Sequence, residues 1–177
     1  MRLIALSMCL LGAACSQAPG SPISPTSPSP AAATPTGAMN ATASLPFRGD
    51  ISGTTKGVFT PPATLEIVLI GQGNATHLGR FASEAHDVGT FPDPVAKGTW
   101  VFTAANGDRL FATTESTGTP VGPGIDDVKT VATITGGTGR FLDAAGTFTA
   151  LLRASHDASS GEGEFSGSFS GHLSLNH

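Results

Sequence analysis

From Leu45 onward, apolar and polar residues alternate over short runs separated by Gly, Pro, Asn and Asp. Positions 47–55 place Phe47, Gly49, Ile51 and Gly53 on one face and Arg48, Asp50, Ser52 and Thr54 on the other. Positions 165–175 repeat the device, with Phe165, Phe169, Leu173 and Leu175 together. A period of two belongs to a strand with one face buried. Further β-type runs cover 65–78, 80–88, 99–105, 109–117, 128–135 and 146–155. The first of these is apolar on both faces at its start. Helical spacing is nowhere sustained for three turns, so the body reads as all-β. Asn106-Gly107 supplies a tight hairpin, because both central residues of a type I′ turn need positive φ.

These runs make eight antiparallel strands in about 130 residues, a number at which a sheet commonly closes into a barrel. Closure also removes the exposed edges that an open sheet must protect. A two-sheet sandwich is the alternative arrangement of the same strands.

The segment 134–149, ITGGTGRFLDAAGTFT, raises a different possibility. Its glycines suggest a phosphate loop, but such a loop must open a helix so that backbone N–H groups face the anion. Gly136-Gly137-Thr138-Gly139 lacks the Gly-Lys-Ser/Thr ending of a P-loop and the glycine spacing of a dinucleotide fingerprint. After Phe141 there is room for one turn before Gly146 and the β-prone Thr-Phe-Thr. A strand corner explains more. Gly136, Gly137 and Gly139 permit a bulge or positive φ, Arg140-Phe141 drops an aromatic onto the core, and Gly146 starts the return strand. Gly79-Arg80-Phe81 echoes the same corner.

Gly136-Gly-Thr-Gly-Arg-Phe-Leu-Asp-Ala-Ala-Gly146 resembles the Gly-Gly-Thr-Gly-x-Phe…Ala-x-Gly signature of the allene oxide cyclase/dirigent barrel superfamily. The stretches 76–81 and 104–108 resemble segments of bacterial secreted proteins that carry this corner. The resemblance covers about 45–177 and implies an eight-stranded barrel. Plant members act on small apolar or aromatic molecules inside the barrel. Their catalytic residues do not map onto this chain position by position, so activity would rest on fold analogy.

Among the scattered polar residues, Glu66, His77, Glu84, His86 and Arg109 are the candidates for a pocket. Glu66 lies in the apolar run 64–70 and shares its face with Val68 and Ile70. Inside a barrel, desolvation would suit it to acid–base work; at the rim it would sit in water. Glu84 and His86 share one face, as do Arg109 and Glu115 on another strand. Clustered in a pocket they could move protons, whereas on the outer wall they would form ordinary cross-strand pairs. The five histidines, His77, His86, His156, His172 and His177, lack metal-site spacing. No metal or cofactor is expected.

The N-terminus changes the picture. Positions 1–14 combine one positive charge, a short apolar run and small residues ahead of Cys15, the layout of a signal peptide. Leu11-Gly-Ala-Ala-Cys15 resembles a bacterial lipobox, although Gly12 stands where an aliphatic residue is usual. The resemblance implies lipidation of Cys15, and the following Ser16 favours the outer membrane of a double-membraned bacterium. Cleavage by the general signal peptidase is the other reading. Segment 16–46 has no charged residue and holds seven of the thirteen prolines. It cannot bury enough apolar area to offset its ordering entropy, so it is expected to be a disordered tether. The expected organisation is a signal peptide at 1–14, a lipid-anchored linker at 15–45 and a barrel at 46–177.

Composition narrows the chemistry further. The net charge of −4 and the lack of any basic cluster argue against nucleic-acid binding. Both cysteines, Cys9 and Cys15, precede the body, which therefore has no disulfide or thiolate nucleophile. The expectation is a membrane-tethered lipoprotein whose barrel binds a small apolar ligand or serves as an envelope interaction module. The alternative is a cyclase- or isomerase-like enzyme for a lipid or phenolic substrate.

Overall fold

The computed structural model describes residues 44–175. The signal segment, Cys15, nearly all of the linker, and His177 lie outside those residues. Eight antiparallel strands follow one another in chain order: β1 (Ser44–Thr60), β2 (Thr64–Ala75), β3 (Gly79–Thr90), β4 (Val95–Ala104), β5 (Arg109–Gly122), β6 (Ile125–Gly137), β7 (Ala145–Ser155) and β8 (Glu162–Ser174). Each pairs with its neighbour, and β8 returns to β1 to close the barrel. The eight expected strands are all present, and the sandwich is not formed.

Alternation decides which side chains enter the barrel. Odd residues face inward on β1, β2, β3 and β8, and even residues do so on β4 to β7. Phe47, Ile51, Phe81, Phe102, Leu110, Phe148, Phe165 and Phe169 are thereby buried. Their rings pack edge-on or tilted, as in Phe47–Phe148 at 5.3 Å and Phe81–Phe102 at 5.3 Å. Such pairs add roughly 0.5–1.5 kcal/mol to area burial. The wall accommodates the rings by omitting side chains opposite them. A β-carbon on Gly71, for example, would stand 2.9 Å from Phe165 Cζ.

One end of the barrel is plugged. The β2–β3 turn contributes Leu78, and the β6–β7 corner contributes Phe141 and Ala144, all buried. The corner is built as its glycines suggested. Gly136, Gly139 and Gly146 have φ of 125°, 56° and 145°. A register shift falls between Phe111 and Ala112 opposite Gly136, and Gly139–Phe141 forms a single 3₁₀ turn. Arg140 lies over the Phe141 ring at 4.7 Å and donates to the Leu78 carbonyl at 3.3 Å, tying the two plugging turns together. β1 begins and β8 ends at this same end, since Ser44 pairs with Ser174 and Ala145 does so from the other side.

Candidate functional site

The aromatic plug fills only half of the interior. Toward the opposite end, where the β1–β2, β3–β4, β5–β6 and β7–β8 turns lie, the barrel opens into a cavity of about 910 Å³. This is within the size range of small-molecule sites. Inward positions of β2 supply Leu65, Ile67 and Leu69, with Val128 from β6 and Leu152 from β7 facing them. Trp100 also lines the cavity and stacks on Phe102 of the plug with ring centroids 4.9 Å apart.

One carboxylate enters this apolar space. Asp87 of β3 is only 4% exposed, and its oxygens accept from Thr114 Oγ1 at 2.6 Å and Ser116 Oγ at 2.7 Å. Ser116 Oγ is in turn 2.9 Å from Thr130 Oγ1. With the single Ser116 proton committed to Asp87, Thr130 must be the donor in that contact. The Thr130 and Ser116 protons therefore point along one chain that ends on Asp87 Oδ2, and the Thr114 proton reaches Oδ1 directly. This chain runs across β3, β4, β5 and β6, and the register explains how. Asp87 is opposite Gly98, and Gly98 is opposite Thr114. A β-carbon on Gly98 would collide with Asp87 Oδ1, so the missing side chain lets the carboxylate reach past β4. Two residues along the same face of β4, the Trp100 indole N–H is buried without an acceptor among the described residues.

The rim is acidic and partly apolar. Asp93, Asp126 and Asp157 line it, while no Lys or Arg lines any part of the cavity. Asp126 faces His156 Nδ1 at 3.2 Å. Asp157 folds the β7–β8 turn. Its carboxylate accepts the Ser159 hydroxyl, the Ser160 and Ser159 amides, each at 2.9 Å, and the Ser160 hydroxyl. These hydrogen bonds, led by that of the Ser159 hydroxyl, bring its carboxyl down to about 2. The turn is pinned to β1 through Gly57 N donating to Gly161 O at 2.8 Å. Phe59 at the end of β1 and Phe91 in the β3–β4 turn stand exposed nearby.

The pocket residues expected from sequence lie elsewhere. Glu66, Glu84 and His86 sit on the outer wall, because the parity of β2 and β3 is set by Leu65, Ile67 and Phe81 pointing inward. His77 occupies the β2–β3 turn at the plugged end with φ of 65°. Arg109 is exposed, with its guanidinium over Phe111 at 5.4 Å. Glu115 pairs with Lys97 on the outer surface at 2.8 Å. None of the five candidates lines the cavity. Asp87, the deeply buried carboxylate of the cavity, shares its strand face with Phe81. Among the described residues no group of three or more His, Asp or Glu is placed to hold a metal ion. No protein-family model and no curated protein matches the chain.

Proposed function

We propose that this barrel is a binding module for a small, largely apolar molecule, held at the bacterial envelope by a lipid on Cys15. The observation that carries the reading is the half-plugged interior. Phenylalanines close one end, and an open cavity of about 910 Å³ walled by Leu65, Ile67, Leu69, Val128 and Leu152 remains at the other. An eight-stranded barrel is just wide enough for its interior to be filled by side chains or to hold one small ligand, and here side chains fill only the closed end. The resemblance of the Gly136–Gly146 corner to barrels that receive small apolar molecules supports the same conclusion. Binding without turnover is favoured over isomerisation because Asp87, the deeply buried carboxylate of the cavity, already holds two hydroxyl donors. No second acid or base among the described residues faces it at that depth.

Native mass spectrometry of the domain purified from its own host should find a retained ligand. Trp100, the single tryptophan of the chain, reports on the same event by fluorescence. Ala154→Phe, which fills the mouth, should abolish both signals while keeping a β-rich circular-dichroism spectrum. A domain that carries nothing and takes up no apolar probe would refute the binding role. The anchor has its own test: Cys15→Ser should move the protein from membranes to the soluble fraction, and unchanged partition would eliminate it.

A further inference from the structure

Resting on that reading, we infer that the ligand carries a cationic amine and that Asp87 is its counter-ion. A carboxylate that is 4% exposed and has no Lys, Arg or His within ion-pair reach among the described residues calls for a partner. Buried charges are normally paired, and an unpaired one is costly. The two hydroxyl donors to Asp87 leave acceptor capacity on its oxygens, since each carboxylate oxygen offers about two lone-pair sites. An ammonium group has donors and no acceptors, which suits a site built entirely of protons directed at an anion.

The remainder of the cavity agrees. Its lining contains four aspartates, Asp87, Asp93, Asp126 and Asp157, and one histidine, against no Lys or Arg. A cleft with low-dielectric walls and charges of one sign focuses its field and draws in ligands of the opposite sign. Carboxylate and phosphate amphiphiles are disfavoured by the same field. The apolar walls between rim and floor require a hydrocarbon or aromatic body behind the amine. The expected occupant is thus a cationic amphiphile, inserted head first, with its ammonium on Asp87 and its apolar body beside Leu65, Ile67, Val128 and Leu152.

The test uses decylamine, decan-1-ol and decanoate, three probes with one apolar body and different heads. Binding is followed by Trp100 fluorescence and confirmed by native mass spectrometry. Decylamine should bind roughly tenfold or more tightly than decan-1-ol, the scale of a hydrogen bond to a charged group. Decanoate should bind more weakly than either. Asp87→Asn should remove the amine preference, bringing the affinity ratio of decylamine to decan-1-ol down to about one. Equal affinities for amine and alcohol, or a preference for decanoate, would overturn the head-group assignment while the apolar-ligand reading stood. Preference for the amine that persists in Asp87→Asn would move recognition to the rim acids and overturn the role of Asp87. Binding of none of the three would remove both readings. The wild-type series needs no substitution, so it decides the head group even if Asp87→Asn fails to fold.

Discussion

Replacing Phe141 by Ala tests whether the β6–β7 corner is the stopper of the barrel or a surface ornament. Phe141 is fully buried, whereas its neighbour Leu142 is 68% exposed. An aromatic ring of this kind withdraws about 150–250 Å² from water, which at about 25 cal/mol per Å² gives an upper estimate of about 4–6 kcal/mol. Measured Phe→Ala substitutions in cores fall at about 3–5 kcal/mol, and the lower range is preferred because the denatured chain already hides part of its surface. That loss is a large share of the total stability of a domain, about 5–15 kcal/mol. It corresponds to a fall in melting temperature of about 10–20 °C for a body of this size. Leu142→Ala should shift stability by no more than about 0.5 kcal/mol. Urea denaturation of residues 46–177, followed by circular dichroism and Trp100 fluorescence, measures both. A Phe141→Ala cost below about 1 kcal/mol, or equal costs for the two variants, would refute the stopper.

Gly98→Ala places a β-carbon against Asp87 Oδ1 and the His86 carbonyl oxygen; it should destabilise the domain by about 1–3 kcal/mol, and an unchanged urea midpoint would contradict the close approach. The Asp157 carboxyl should titrate at about 2 in an NMR pH series, held down by the Ser159 and Ser160 donors. Because its folded value lies below the ordinary one, its support of the β7–β8 turn is complete above about pH 4 and is lost as pH falls through about 2; a midpoint near 4 would contradict it. Asp157→Ala should speed hydrogen exchange at the Gly57 amide, which donates to Gly161, and equal protection in the two proteins would show that the turn stands without its carboxylate. Trp100, 2% exposed, should emit at short wavelength and resist acrylamide quenching in the unliganded domain, and easy quenching would place it outside the barrel.

The strands could be read from sequence because several of them carry bulky apolar residues mainly on the buried face. Phe47 and Ile51, or Phe165 and Phe169, leave no doubt about parity. The corner was equally readable, since positive φ at Gly136, Gly139 and Gly146 is a demand that glycine meets readily. The site was harder. β2 has apolar residues on both faces, so the pattern left the direction of Glu66 open, and Leu65, Ile67 and Leu69 hold the inward position. On β3 the information was present: Phe81 fixes the odd face as internal, and Asp87 lies on it. Glu84 and His86 lie on the even, outer face of the same strand, the cross-strand alternative that the sequence offered. What sequence could not show is the hydroxyl chain. Thr114, Ser116 and Thr130 come from two strands and become neighbours of Asp87 only through the register of a closed sheet.

Ser44 and Ser174 are paired at the stoppered end, so the chain enters and leaves the barrel there. The barrel consequently has a handle and a mouth on opposite poles. A surface, a dye or a fused protein attached ahead of Ser44 grips the molecule by its base, like a cup held from below. Sensor chips loaded through Ser44 of the barrel domain should therefore present every cavity to the flowing solution. Attachment through the Asp157–Gly161 turn would do the reverse and place the obstacle across the entrance. The order of the strands thus sets the mouth of the cavity at the pole opposite Ser44 and Ser174.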